Sequence, residues 1–273
     1  MTESIIRASA KNILVNVGDY VKDGLLYCGG CNTPKQAKVI IFGKHPMCLC
    51  RCESDKRDAE DKAIRKKREL DHIRQLRTQG IQDKQMHGWT FANDDGKSSA
   101  LMDKASRYFA NWEQMYADNV GLLLWGNVGT GKTFFAGCIA NALIDTGISV
   151  LMTSFGKIIN ALSGFSIDDK AGYIDSFNIY KLLIVDDLGA ERQTDFAQEV
   201  VYSVVDGRYK SGQPLIVTTN MTLDDIKNPQ NTTQARIYDR IHEMTVPIHF
   251  VGKSRRRVAF HEKLNSVRSL FGE

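Results

Sequence analysis

The run Gly126-Asn127-Val128-Gly129-Thr130-Gly131-Lys132-Thr133 constrains this chain more than any other feature. It is an unbroken G-x-x-x-x-G-K-[ST] loop. An apolar stretch from Val120 to Trp125 leads into it and reads as a buried strand, and a helical pattern from Phe134 to Asp145 leads out. The glycines let successive backbone N–H groups turn inward around phosphate oxygens. Lys132 has the reach for the β- and γ-phosphates, and the Thr133 hydroxyl suits Mg²⁺. The opening helix adds its positive dipole end to the same anion site. All eight residues are therefore assigned to a nucleoside triphosphate, taken as ATP.

From about His87 onward, strand-like runs alternate with amphipathic helices: Gly121–Trp125, Ser149–Thr153, Leu182–Asp186, Leu215–Thr219 and Val246–Phe250. This alternation predicts βαβ units, a mainly parallel sheet and a three-layer α/β P-loop NTPase domain over residues 87–273. The third run ends in Asp186-Asp187. Beside a phosphate loop, the first carboxylate joins Thr133 in holding Mg²⁺, and the second polarises the attacking water. The fourth run ends at Asn220, placed to orient water or touch the γ-phosphate, although Thr-Thr-Asn suits a turn equally well. Arg236 and Arg240 share one helix face at i and i+4. Lys253, Arg255, Arg256 and Arg257 crowd four cations into a few residues. Guanidinium groups are planar, permanently charged forks that match triphosphate.

Five of the six cysteines lie between Cys28 and Cys52. Cys28-Gly29-Gly30-Cys31 is a knuckle whose glycines permit a tight turn, and Cys48, Cys50 and Cys52 alternate with Leu49 and Arg51. Tetrahedral zinc takes four such ligands as two short pairs separated by a loop. Four of Cys28, Cys31, Cys48, Cys50 and Cys52 are assigned to Zn²⁺, with His45 a weaker candidate. Lys38 to Phe42 is expected to form a small hairpin carrying the second pair. The plainer alternative is a set of free or redox thiols. A structural metal fits residues 1–53 because so small a module has too little core to fold alone. Cys138, on the helix after the loop, reads as a buried apolar residue.

Residues 54–86 form a charged linker. From Ser54 to Gln79 acids and bases are mixed, which predicts an exposed helix laced with pairs such as Asp58–Lys62 and Asp61–Arg65, ended by Gly80. A hydrophobic content of 42% and a charged content of 25% are ordinary for a globular protein. The net charge of +4 permits nucleic-acid contact without demanding it. No apolar run approaches the ~20 residues that span a bilayer. Met1 to Val17 lacks the features of a secretory signal. A cytoplasmic protein with no membrane partner is expected, and a reducing compartment favours metal over cystine.

Together these motifs resemble an AAA+ ATPase of the bacterial DnaC/DnaI-like helicase-loader family, particularly those of phages and prophages. The resemblance covers about His87 to Phe260: Walker A at Gly126–Thr133, Walker B at Leu182–Asp187, and sensor I at Thr218–Asn220. It continues through an Arg-x-x-x-Asp-Arg box and a Gly-x-Ser-x-Arg sensor II. The cysteine module resembles the zinc-binding N-terminal region of DnaI-like loaders. Trp89-Thr90-Phe91 resembles the segment that opens such domains and packs near the adenine.

The resemblance implies that Asn220 is the sensor I residue and Arg256 the sensor II arginine. It makes Arg240, or alternatively Arg236, a finger reaching into the next subunit's site. A lone subunit is then expected to be a weak ATPase, stimulated by self-association and single-stranded DNA. Two departures stand out: Asp187 where many AAA+ proteins carry glutamate, and Arg255 where an aromatic is usual, adding charge for DNA. The implied function is ATP-dependent loading of a hexameric replicative helicase onto single-stranded DNA during replication initiation. ATP binding and hydrolysis across subunit interfaces would switch release. The rivals are an IstB-like transposition helper and a nucleotide-gated adaptor that does not hydrolyse ATP.

Overall fold

A computed structural model of the chain describes residues 16–271, other than 95, 97, 98, 165 and 193. The expectation about a signal at Met1 to Val17 falls almost wholly outside the described residues. The chain forms two compact units that divide between Leu70 and Asp71.

The first unit opens with a hairpin of β1 (Tyr20–Lys22) and β2 (Leu25–Tyr27), paired antiparallel. Asp23 and Gly24 join them with φ of +52° and +76°, the left-handed pair that matches the twist of a two-residue hairpin. Gly29 is fixed by close approach, since a Cβ there would meet the Gly18 carbonyl oxygen at 2.1 Å. A second hairpin pairs Gln36 with Met47 and Ile41 with Lys44 across Phe42-Gly43, as the sequence suggested, but Cys50 and Cys52 lie beyond it, where the following helix begins at Arg51. Its tip leaves Val39, Ile40, Ile41 and Phe42 exposed.

Lys35 is wholly buried in this unit, with its Nζ 2.9 Å from Asp19 and 3.4 Å from Glu53. The Asp19 hydrogen bond outweighs burial and raises the lysine's pKa, while the same bond lowers that of Asp19. α1 (Arg51–Gly80) begins where the Arg51 N–H donates to Thr33 Oγ1 at 2.9 Å.

α1 is exposed along most of its length, as its composition requires. Its ion pairs within the helix are Arg51–Asp55 and Arg74–Asp71, at 3.9 and 3.3 Å. Among the described residues, neither Asp58–Lys62 nor Asp61–Arg65 forms. For fully solvated side chains, the entropy lost in holding one geometry offsets a screened attraction.

The second unit starts at Asp71. α1 ends at Gly80, where the backbone of the sheet lies so close that a Cβ would meet the Val150 carbonyl oxygen at 1.9 Å. Two short 3-10 turns, Lys84–Gly88 and Phe91–Asn93, precede α2 (Ser99–Ala110) and α3 (Trp112–Ala117). Then come β3 (Gly121–Gly126), α4 (Lys132–Asp145), β4 (Val150–Ser154), α5 (Phe155–Leu162) and α6 (Ile167–Asp175). The chain continues through β5 (Leu182–Leu188), α7 (Asp195–Ser211), β6 (Leu215–Thr219) and α8 (Leu223–Lys227). It ends with α9 (Thr232–Met244), β7 (Thr245–Phe250) and α10 (Arg255–Phe271).

All five strands are parallel, in the order β4-β5-β6-β3-β7. Side chains alternate across the sheet. Leu122 and Leu124 pack with Phe135, Ile139 and Leu143 of α4 on one face. Leu123, Val185 and Val217 pack with Phe155, Val204 and Ile241 on the other. Helices cover both faces, so the strands read as continuous apolar runs.

One buried cation helps close the second layer. Arg208 is fully buried; its guanidinium donates to the Pro214 carbonyl at 3.3 and 3.1 Å, to the Phe177 carbonyl at 3.3 Å and to Gln213 Oε1 at 2.7 Å. Desolvation lowers its pKa to about 10. The strand order places β3 between β6 and β7, while the next strand in sequence, β4, lies at the far edge. Such a reversal opens a crevice at the carboxyl ends of the strands, where ligands of α/β sheets sit. Among the described residues, no helix is long and apolar enough to cross a membrane.

Candidate nucleotide site and metal centre

The phosphate loop leaves the end of β3 at that crevice. Gly126, Gly129 and Gly131 have φ of +134°, +77° and +103°, a region that side chains with a Cβ rarely enter. Thr130 is buried and its hydroxyl donates to the Asn127 carbonyl at 2.8 Å, bracing the turn from inside. Asn127 and Val128 stand exposed at the tip. Lys132 is buried, and its Nζ donates to the carbonyls of Gly126 and Asn127 and to Asn220 Oδ1, at 2.7, 2.8 and 2.8 Å. Burial lowers its pKa, against the opposing fields of Asp187 and Asp186.

Three strand ends converge on the lysine. The Thr133 hydroxyl donates to the Asp186 carboxylate at 3.0 and 3.2 Å. Thr218 Oγ1 donates to Asp186 Oδ1 at 2.5 Å and accepts from the Asp187 N–H at 3.0 Å. Desolvation raises the Asp186 pKa, partly countered by these hydroxyls. β5 and β6 slip register between Val185 and Leu188, and Asp187 takes a φ of +60°. That is a strained conformation for a residue with a Cβ, of the sort found at functional sites. The bulge separates the two acids. Asp186 stays tied to Thr133 and Thr218, whereas Asp187 lines the open cleft.

The cleft, about 400 Å³, is lined by Trp89, Lys132, Thr133, Asp187, Asn220 and Arg256 among others. Trp89 lies on the face of α4: a Cβ on Gly137 would meet its ring at 2.4 Å, and its centroid is 5.7 Å from that of Phe134. Asn141, buried in α4, holds this segment by donating to the Met86 and Trp89 carbonyls at 2.8 and 3.1 Å. Arg236 and Arg240 stand elsewhere, on α9. Arg240 is held within its own chain, 2.7 Å from Asp206 and with its guanidinium 4.7 Å from the Tyr202 ring centroid. Arg236 is exposed.

Sequence reading overlooked Asn141 and the individual role of Thr218. An amide inside the apolar helix Phe134–Asp145 was a visible signal for the first. Nothing local marked Thr218.

In the first unit the Sγ atoms of Cys28, Cys31, Cys50 and Cys52 lie within 4.8 Å of one another. Cys28 and Cys52 are 3.5 Å apart, and Cys50 and Cys52 3.3 Å. Four thiolates about 2.3 Å from a zinc ion would be separated by about 3.8 Å, so donor set and spacing fit Zn²⁺. Cys48 is the cysteine left out, its thiol turned to the Pro34 carbonyl at 3.6 Å. α1 begins at Arg51, and its first turn swings Cys52 toward the knuckle while Cys48 stays in the hairpin. His45 also stands apart, with Nδ1 3.0 Å from the Ala37 carbonyl.

A model of the IstB-like ATP binding protein family matches residues 56–261. The chain belongs to this family. Among its relatives, the replicative helicase loader DnaI of Bacillus subtilis is 24% identical over 250 residues, covering 84% of this chain and 78% of the relative. The replicative helicase loader DnaC of Escherichia coli is 26% identical over 135 residues, covering 48% of this chain and 54% of DnaC. A crystal structure of DnaI superposes with a TM-score of 0.52 at 25% identity, covering 63% of this chain and 93% of that one. These matches bear out the resemblance to the DnaC/DnaI-like AAA+ proteins. The IstB-like family assignment brings ATP binding with it, in agreement with the loop geometry.

Proposed function

We propose that this protein is an ATP-dependent loader that places a hexameric replicative helicase on single-stranded DNA during replication initiation. The supporting observation is the convergence of Lys132, Thr133, Asp187 and Asn220 in one cleft, with Asp186 bonded to Thr133 behind it, in a chain that resembles DnaI over 84% of its length. In this reading the loop N–H groups and Lys132 bind the triphosphate, and Thr133 and Asp186 would hold Mg²⁺. When bound, the cation would neutralise charge on the phosphate oxygens. Asp187 accepts a proton from the attacking water, Asn220 orients that water, and Arg256 follows the γ-phosphate. Arg236 or Arg240 would complete a neighbouring subunit's site. Because Arg240 is already paired with Asp206, its use in trans requires that pair to open, whereas Arg236 is exposed.

The zinc-binding module is proposed to dock the helicase, and the cytoplasm is the proposed setting. Positive charge for a DNA backbone is available from Lys253 and Arg257, in a groove that His261 and Glu262 also line beside Asn127 and Val128. Domain limits of 1–53, 54–86 and 87–273 remain part of this proposal.

The family model carries the name of the transposition-helper alternative, but residues 56–261 exclude the cysteine module. Retention of the host replicative helicase by the full-length protein with ATP tests the choice. Wild type and Cys48→Ser should retain it, whereas a Cys28→Ser/Cys31→Ser variant should not. No retention by any of the three overturns the loader reading. Retention with negligible ATP turnover, and with release indifferent to Asp187→Asn, supports the non-hydrolysing adaptor instead.

A further inference from the structure

Arg255 occupies a position where the family resemblance led us to expect an aromatic residue, and its charge looked available for DNA. The structure directs it elsewhere. The Arg255 N–H donates to the Gly129 carbonyl at 2.9 Å, so the first residue of α10 is bonded to the phosphate loop itself. Gly129 permits this contact, since a Cβ there would meet Ser254 Oγ at 2.3 Å. The Arg255 side chain then runs over Gly131: its Nε and Cζ lie 3.6 and 3.7 Å from where a Cβ of that residue would stand. It lines the same cleft as Lys132, Thr133, Asp187, Asn220 and Arg256. Its Nη1 is 3.8 Å from Asp94 Oδ1, an oxygen that is buried and accepts no hydrogen bond.

We infer that Arg255 is a second nucleotide-binding arginine of the same chain, contacting the α- and β-phosphates, distinct from the γ-phosphate role of Arg256. This rests on the nucleotide-binding reading of the cleft. The loop's N–H groups address the α/β-phosphates and Lys132 the β/γ pair. A guanidinium laid along Gly129 and Gly131 therefore meets the part of the ligand that ADP and ATP share. Asp94 lies beside the fork at 3.8 Å without accepting a hydrogen bond from it. A planar fork bonded to phosphate gives charge-assisted hydrogen bonds that lysine reproduces only as a point charge.

Titration of the full chain with fluorescent N-methylanthraniloyl ADP and ATP, in the presence of Mg²⁺, tests this. Arg255→Ala should weaken both nucleotides about tenfold, about 1.4 kcal/mol, and by the same factor. Arg255→Lys should recover part of the loss, and Arg256→Ala should penalise ATP more than ADP. Asp94→Asn should leave both affinities within about twofold of wild type. Unchanged binding by Arg255→Ala, or a loss confined to ATP, overturns the assignment. So does an Asp94→Asn variant that reproduces the Arg255→Ala loss, because Arg255 would then act only by holding the Asp94 segment. Failure of the wild type to bind either nucleotide would instead remove the nucleotide reading itself.

Discussion

The two units of this chain solve the problem of staying folded in different ways. From Asp71 onward, a five-stranded parallel sheet buries apolar side chains on both faces, and its polar residues can be spent on chemistry at one edge. Up to Leu70 there is no comparable core among the described residues. Leu25, Cys28 and Cys50 are the buried apolar residues there, around a fully buried Lys35, while four large apolar side chains at the second hairpin tip face solvent. Four thiols and one ion-paired lysine hold the smaller unit. Buried charge serves cohesion in both units, through Lys35 in the smaller and Arg208 in the larger, and the larger also buries Lys132 beside its cleft. Lys35 is neutralised by Asp19 and Glu53 inside the fold, whereas Lys132 is turned toward a place where phosphate would sit.

The largest expected effect separates the units by metal. Structural zinc contributes on the order of 10 kcal/mol to small modules. Stripping it with a chelator should abolish hydrogen-exchange protection over residues 16–50 and leave β3 to β7 protected. Cys28→Ser should do the same and Cys48→Ser should not. Persistent protection of the stripped module would mean that its own packing suffices, and the contrast would fail.

Next comes chemistry in the larger unit. Asp187→Asn should lower ATP turnover by about 10²–10⁴, the range for loss of a general base, while nucleotide affinity and zinc content stay unchanged. A turnover close to wild type would assign the base elsewhere.

Arg208→Met should cost the sheet unit about 1–3 kcal/mol, since the Pro214 and Phe177 carbonyls keep only their long backbone bonds from Leu183 and Tyr180 and Gln213 Oε1 loses the guanidinium. Calorimetry would show this as a lowered Tm for that unit, with the zinc-dependent transition unmoved.

The smallest effect is a gain. The Asp186 pKa is raised by burial, so its folded form binds the proton more tightly than the unfolded chain does. The ionised carboxylate therefore weakens the fold as pH rises through that raised value. Asp186→Asn should raise the Tm of the nucleotide-free protein by roughly 2 °C at neutral pH. The gain should vanish toward the ordinary carboxylate range. A destabilised variant at pH 7 would show that the hydroxyls of Thr133 and Thr218 outweigh desolvation.

The sheet was readable because its signals are local. Apolar runs of strand length predicted β3 to β7 to within two residues at either end, and the glycine pattern marked the loop. The cysteine cluster was readable as chemistry but not as a set, since spacing alone left five candidates for four places. The helix start at Arg51 made the selection. Lys35, Asn141, Thr218 and Arg208 were not readable as structural keystones, because each acts on backbone or carboxylate groups brought near by folding. The docking of Arg255 on the phosphate loop was not readable for the same reason. A run of cations in sequence does not reveal that one of them is laid along Gly131.

Sequence alone determined the α/β class, the phosphate loop, the paired acids near the end of β5 and the cluster of cysteines suited to a metal in the first unit. Each follows from residue type at short spacing, where backbone geometry leaves few alternatives. Tertiary structure decided which four cysteines meet, which acid is tied and which faces the cleft, and which arginine of the final cluster touches the loop. Those outcomes depend on the strand order, the bulge at Asp186-Asp187 and the docking of α10 on Gly129. All three are contacts between segments far apart in the chain, which no local pattern encodes.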